Sequence, residues 1–359
     1  MKVMTVFGSR PEIIKLSLIL RVLDQHSEHI VVQIVADSER EMCDALIREL
    51  EIRQPDLQLV IDANSSGDEQ ISSRLKGIIS EQKPDRILVM GGSVAALTVS
   101  SVSRKDSSVI HLGAGTRCFD TNTPDDDNGI SVDHTSSVLL PYTARSMDNL
   151  IREGIAAKKI FVVGNPIKEV HDSFADRIEA SGVMKGLGIK PFDYFVATLH
   201  RAGNIDAKAN IEKLFDGFAA VAAKFDKNVL VAAHPRTAER LQLYGVRPST
   251  PNIRLLKALN FFDFVKLAKN SLAVLTDSST VQDECSIFGI PNVTLSDLTD
   301  RPETIDCGSN ILSGVEPGAI VRATELAIAQ PAAWSAPPEY LTPNVSQTVT
   351  KIVLGQIGI

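Results

Sequence analysis

Residues 3–15 read Val-Met-Thr-Val-Phe-Gly-Ser-Arg-Pro-Glu-Ile-Ile-Lys. Val3–Phe7 is a nearly continuous apolar run, the pattern of a parallel strand buried on both faces rather than one alternating with water. Gly8 permits a tight turn, and Pro11 suits the first turn of a helix, so Arg10 onward reads as helical. Strand, glycine turn and helix make the first half of a βαβ unit. Runs of the same kind recur at Ile30–Ala36, Ile87–Met90, Val109–Leu112, Ser137–Leu140 and Ile160–Val163, with helical stretches between them. The pattern then restarts at Tyr194–Thr198, Val229–Ala233, Ile253–Leu255, Ala273–Leu275 and Asn292–Leu295. This repetition predicts an α/β protein of two Rossmann-like, doubly wound domains with parallel sheets. A polar stretch around Asn165–Pro191 separates the halves and places the boundary near Gly164–Pro166. The expected domains are residues 1–165 and 166–343, with a helical tail, 344–359, crossing back to the first.

The 359 residues suit two domains, and a hydrophobic share of 44% supplies two cores. The net charge of −7 argues against a nucleic-acid binder working through bulk electrostatics, because such domains are usually basic. Cys43, Cys118, Cys285 and Cys307 form no CxxC pair and no zinc spacing, so they read as buried, reduced thiols. The N-terminus is interrupted too soon for a signal peptide, and no run approaches the ~18 apolar residues of a membrane helix. A cytoplasmic protein that needs no membrane is expected.

Open α/β sheets bind ligands at the carboxyl ends of their strands, so the residues just after each strand carry the functional signal. After the first strand, Arg10 and Lys15 lie near a helix N-terminus, which favours anions. The pair reads either as a phosphate site or as a solvated first turn. In the second half the strand ends carry His200-Arg201, then His234-Pro235-Arg236, then Thr276-Asp277-Ser278-Ser279-Thr280. Ser278, Ser279 and Thr280 offer hydroxyls and N–H groups at a helix start, an anion cradle. Glu284, one turn further, can accept from two vicinal hydroxyls such as those of a ribose. A lone histidine at a strand end is more often structural than catalytic. Clusters at successive strand ends point together to a nucleoside diphosphate held mostly by the second domain. In the first domain, Asp125-Asp126-Asp127 reads as a solvated loop, a metal site or a source of a catalytic base. A dedicated magnesium cage is disfavoured, since Mg²⁺ usually takes one or two carboxylates plus substrate phosphates.

In order, the chain carries GSRPEIIKL, RCFD, PDDDN, VDH, VVGNPI, TLHRAGN, AHPRT, LTDSSTVQDE and RPETIDCGSN. This series, spread from Met1 to about Gly314, resembles the non-hydrolysing UDP-N-acetylglucosamine 2-epimerase family. The resemblance implies two domains of glycosyltransferase-B type with a UDP-sugar in the cleft between them, no cofactor, no metal, and a homodimer. It implies interconversion of UDP-N-acetylglucosamine and UDP-N-acetylmannosamine, or of a related UDP-2-acetamido sugar. A base removes the C2 proton, UDP leaves, and UDP adds back to the glucal with a proton delivered to the opposite face. It assigns substrate contacts to Arg10, Lys15, His200, Arg236, Ser278, Glu284 and Arg301, with Ser279 and Thr280 in the same cradle. It assigns proton transfer to Asp126 and His200.

The sequence departs from the family pattern at its acids. Gly92 stands where the family has the acid of Gly-Asp-Thr or Gly-Asp-Ser, and Gly113 replaces the acid of His-x-Glu-Ala-Gly. In Pro124–Gly129 both family glutamates are shortened to aspartate and the arginine is Gly129; Gly203 replaces the glutamate of His-Arg-x-Glu-Asn. Asp126 is one methylene shorter than the family acid, a loss of about 1.5 Å in reach. Three functions therefore stay open: an epimerase, a UDP-sugar-binding homologue impaired in turnover, or another UDP-sugar enzyme, a glycosyltransferase or hydrolase.

Overall fold

The computed structural model describes residues 1–61, 67–103, 107–119, 124–257, 259–330 and 333–356, apart from the side chains at 67–69 and 124–125. It divides into two compact units, Met1–Ser173 with Glu339–Ile359, and Phe174–Pro338. The first unit keeps residues 166–173, beyond the expected edge at 165, because the helix Ile167–Ser173 lies against the helix Arg10–His26. The tail helix Val345–Leu354 lies against the same helix. Residues 357–359, expected to continue it, fall outside the described part.

The first unit holds β1 (Lys2–Phe7), β2 (Glu28–Ala36), β3 (Leu57–Ile61), β4 (Arg86–Met90), β5 (Ser108–Leu112) and β6 (Val138–Leu140) in the order β3-β2-β1-β4-β5-β6. The second holds β7 (Tyr194–Thr198), β8 (Asn228–Ala232), β9 (Ile253–Leu256), β10 (Val274–Thr276), β11 (Asn292–Thr294) and β12 (Asn310–Leu312) in the order β12-β11-β10-β7-β8-β9. Every pairing is parallel. Each unit is thus doubly wound, with the same internal order. Buried Val, Ile and Leu of the strands form the cores with the covering helices. The order reverses between β1 and β4 in one unit and between β7 and β10 in the other. Those are the switch points where such sheets bind ligands.

Two strands escape a reading based on buried runs. β3 and β12 are both edge strands, and β3 is largely half-buried, so neither is a continuous apolar run. Ile160–Val163 is not a strand. It makes one bridge, Leu139 to Ile160, and donates from Phe161 and Val163 to the carbonyls of Leu139 and Pro141. Gly164, at φ +89°, then turns the chain away.

Candidate functional site

At the first switch point, β1 ends on Gly8. A Cβ there would lie 2.2 Å from the Ile34 carbonyl oxygen, so only glycine lets the turn pass this close to β2. Glu12 completes a capping box with Ser9. Its Oε2 accepts from the Gly8 and Ser9 N–H groups and the Ser9 hydroxyl, and its Oε1 from the Ser93 hydroxyl at 2.8 Å. One carboxyl therefore ties the turn after β1 to the turn after β4. Burial raises its pKa, against the lowering effect of those donors. Arg10 opens the helix half-buried. Lys15 is 1% exposed, and its ammonium lies 4.8 Å from the Tyr142 ring centroid.

Beneath the ends of β4 and β5 sits a buried charge network that the sequence reading did not single out. Asp133 accepts from His111 Nδ1 at 2.7 Å, from the Gly115 N–H at 3.1 Å and from Arg117 Nη2 at 2.7 Å. Arg117 also forks onto Glu153. Burial acts to raise the Asp133 pKa, but His111 and Arg117 together hold it below the ordinary carboxylate value. The network fixes the turn 113–117. Asp126, expected to transfer protons, is buried and accepts from the N–H groups of Cys118 at 3.1 Å and Phe119 at 2.9 Å. Asp120 and the side chain of Asp125 lie outside the described residues.

The glycines that replace family acids differ in their surroundings. A Cβ on Gly203 would meet nothing within 4 Å among the described residues beyond its own helix backbone and chain neighbours. Beyond its own helix backbone, and among the described residues, one on Gly129 would meet Arg117 Nη1 at 3.9 Å and the Gly92 Cα at 4.0 Å. Gly113 sits at φ +77°, and its Cβ would lie 3.1 Å from the Tyr142 hydroxyl and 3.2 Å from its Cζ. Gly203→Glu is therefore expected to be tolerated, adding about 0.5 kcal/mol through helix propensity at an exposed first-turn site. Gly113→Ala is expected to cost about 1–3 kcal/mol. Thermal unfolding of the two variants checks this: a Gly113→Ala melt matching wild type would contradict it.

At the second switch point Asp277, the first residue after β10, is fully buried. It accepts from the N–H groups of His200 and Arg201 at 3.1 Å each, and from Asn204 Nδ2 at 3.0 Å. It thereby ties the end of β7 to the end of β10. His200 Nδ1 lies 2.9 Å from the same carboxylate while the side chain stays 42% exposed. A proton held at Nδ1 by that carboxylate leaves Nε2 as the basic nitrogen. Burial acts to raise the Asp277 pKa, but the charge of His200 and the donors of His200, Asn204 and Arg201 bring it below the ordinary value.

Ser278 occupies the N-cap position of the helix Ser279–Phe288 without a side-chain capping hydrogen bond. The Ser279 hydroxyl donates to Asp300 and accepts from Arg201. Thr280 and Glu284 are buried in the same helix. Arg301 is turned onto Asp283 Oδ1 at 3.0 Å and Asp300 Oδ2 at 2.8 Å. Burial acts to raise the Asp300 pKa, but Arg301, Arg201 and Ser279 hold it far below the ordinary value. Arg236 opens the helix Pro235–Tyr244 and pairs with Asp206. The structure thus gathers His200, Ser278, Ser279, Thr280, Glu284 and Arg301 around one pair of strand ends, with Arg236 at the neighbouring end of β8. Asp277, Asn204 and Asp300, which organise them, were not singled out. Asp277 carries a positional signal, a polar residue immediately beyond a buried strand, whereas Asn204 and Asp300 lie six residues past the ends of β7 and β11 and carry none. No group of three or more His, Cys, Asp or Glu suited to a metal occurs among the described residues.

Two doubly wound units of this order define a Rossmann-like α/β protein of glycosyltransferase-B type. A family model described as UDP-N-acetylglucosamine 2-epimerase matches residues 21–354, and the chain belongs to that family. It is 34% identical over 348 residues to the UDP-N-acetylglucosamine 2-epimerase of Methanocaldococcus jannaschii, covering 94% of this chain and 95% of the relative. It is 29% identical to the UDP-2,3-diacetamido-2,3-dideoxy-D-glucuronate 2-epimerase of Pseudomonas aeruginosa, covering 91% and 92%. The crystal structure of the M. jannaschii enzyme with UDP-GlcNAc and UDP matches with a TM-score of 0.92 and 31% identity, covering 98% and 99%. No described helix is long and apolar enough to cross a membrane.

Proposed function

We propose that this chain is a UDP-2-acetamido-sugar 2-epimerase, acting on UDP-N-acetylglucosamine or a close relative by elimination and re-addition of UDP. The carrying observation is the second switch point, where buried Asp277 orients His200 beside the N-terminus of the helix Ser279–Phe288. The first N–H groups of a helix have no intrahelical partner and favour a diphosphate. In this reading Ser278, Ser279 and Thr280 cradle that diphosphate, with Arg236 and Arg301 adding positive charge nearby. Glu284 accepts from the ribose hydroxyls. Arg10 and Lys15, in the helix that follows β1, are further substrate contacts of this reading.

His200, with Nε2 as the basic nitrogen, and Asp126 are the proton-transfer groups of this reading. General acid–base help of this kind is typically worth ~10²–10⁴-fold. Family membership over nearly the whole chain supports the reading. So does the similarity to an enzyme acting on a diacetamido uronate, which motivates the wider substrate class. A homodimer, implied by the family resemblance, belongs to the same reading, and sedimentation equilibrium tests it.

A second reading, a UDP-sugar-binding homologue with little turnover, is favoured by Gly92, Gly113 and Gly203, which offer no proton-transfer group. One experiment separates the two. The protein is incubated with UDP-N-acetylglucosamine in D₂O and the C2 proton is followed by NMR. Exchange at C2 with appearance of UDP-N-acetylmannosamine is expected. Calorimetric UDP binding without exchange would establish the second reading, and UDP release without the epimer would point to hydrolysis or transfer.

A further inference from the structure

Two aspartates of the helix Pro124–Thr135 bond to the same neighbouring segment. Asp126 and Asp133 stand seven positions apart on that helix. Seven residues make about two turns, so both carboxyls leave one face, about 10 Å apart along the axis. Near the start of the helix Asp126 accepts from the N–H groups of Cys118 and Phe119. Near its end Asp133 accepts from His111, the Gly115 N–H and Arg117. Gly129 lies between them and is buried, with Arg117 Nη1 3.9 Å from where its Cβ would stand, so the guanidinium runs along the helix. The segment 111–119 is thus fastened to one helix at two points. Arg117, held by Asp133, directly precedes Cys118, whose N–H is held by Asp126. The segment also bends through positive φ at Gly113, Gly115 and Phe119. At a phenylalanine that conformation needs support from outside. Asp133 is 1% exposed and both of its oxygens are engaged, Oδ1 by His111 and Oδ2 by Gly115 and Arg117. It is placed to hold the segment and not to exchange a proton with a substrate.

We propose that Asp133 is a positioning residue for the reaction: through Arg117 and the Gly115 N–H it fixes the segment whose Cys118 and Phe119 N–H groups aim the Asp126 carboxylate. The inference rests on the reading of Asp126 as a proton-transfer group given above. Misplacing a reacting group by about 1 Å can cost ~10²-fold in rate. A segment loosened at its Asp133 end is therefore felt at Asp126, although Asp133 itself meets no substrate.

The test is Asp133→Asn in the full chain, with two readouts. Asparagine keeps the volume but turns an NH₂ toward one of the donors. The first readout is hydrogen exchange at the Cys118 and Phe119 amides, which reports the Asp126 contacts without reference to activity. Exchange there is expected to quicken by about tenfold or more, while the amides of β7 stay at wild-type rates. The second is turnover: kcat is expected to fall about 10–100-fold with UDP affinity within about twofold of wild type. In an Asp126→Asn background, Asp133→Asn is expected to lower kcat no further, because it acts through that carboxylate. Should Asp133→Asn fold poorly, Glu153→Gln loosens Arg117 from its other side with both aspartates intact, and the same pattern is expected with a loss of about 2–10-fold. Unchanged exchange at Cys118 and Phe119 would overturn the proposal, as would UDP affinity that falls in step with kcat. A wild-type chain without turnover overturns the epimerase reading and this inference with it, whereas turnover on which the two aspartate substitutions act independently overturns this inference alone.

Discussion

Asp277→Ala is expected to lower the unfolding midpoint by roughly 10 °C or more and to abolish UDP binding measurable in the wild type. Asp277 is fully buried and serves four partners: the N–H groups of His200 and Arg201, the Asn204 amide, and the His200 imidazole. Alanine leaves those donors facing a void. Removing one member of a buried charged arrangement typically costs about 3–5 kcal/mol, because the remaining groups keep their desolvation without compensation. That is a large fraction of the 5–15 kcal/mol that stabilises an ordinary domain. The functional loss has a separate cause. The turn after β7 is held to β10 by this carboxylate, so without it His200 loses its orientation and Arg201 its link toward Ser279. Differential scanning calorimetry with UDP titration checks both parts. A midpoint within about 2 °C of wild type would contradict the central role assigned to Asp277.

The sign of the pH effect follows from the same contacts. The folded pKa of Asp277 lies below its ordinary value, so the unfolded chain takes up the proton first as pH falls. The stabilisation is complete above the unfolded carboxylate value of about 4 and is lost as pH drops through the lower folded value. The stability gap between wild type and Asp277→Ala is therefore widest near neutrality and narrows in acid. Asp133 and Asp300, also held low by cationic neighbours, act in the same direction. The wild-type chain is accordingly expected to be acid-labile.

The doubly wound plan was legible because parallel strands buried on both faces leave unbroken apolar runs. Among the described residues, ten of the twelve strands announce themselves in that way. β3 is interrupted by Gln58 and largely half-buried, and β12 is only the three residues Asn310–Leu312, so the signal fades there, although β6 and β9 lie at sheet edges as well and were read. Ile160–Val163 shows the converse, since an apolar run can be buried beside a sheet without joining its ladder. Strand ends were legible as places where chemistry collects. The contacts made there were not. His200 meets Asp277 across 77 positions, Ser93 meets Glu12 across 81, and no local spacing encodes either. The seat of Tyr142 over Gly113 is a fit between two volumes, which a residue string does not display.

Asp126→Asn is expected to lower kcat by about 10²–10⁴-fold while UDP affinity stays within about twofold of wild type. The first number follows from its proposed role in proton transfer, the second from the proposal that the main UDP contacts are His200, Arg236, Ser278, Ser279, Thr280, Glu284 and Arg301. The geometry makes the experiment sharper than it is from sequence. Each Asp126 oxygen accepts one backbone N–H, from Cys118 and from Phe119. An ionised carboxylate has about four acceptor directions, so holding the loop does not exhaust it. Phe119 is 74% exposed at φ +58°, a conformation a bulky residue adopts only when something holds it there. Asparagine presents an NH₂ where one of the two oxygens stood, so it loses both the charge and one of the loop contacts. A rise in KM with kcat unchanged would therefore assign Asp126 to the loop alone. Asp126→Glu then distinguishes reach from charge. It restores the family length, and a gain in turnover would mean that the shortened side chain limits the wild-type rate. A loss as large as that of the asparagine variant would mean that the loop contacts, set for aspartate, matter more than the missing 1.5 Å or so.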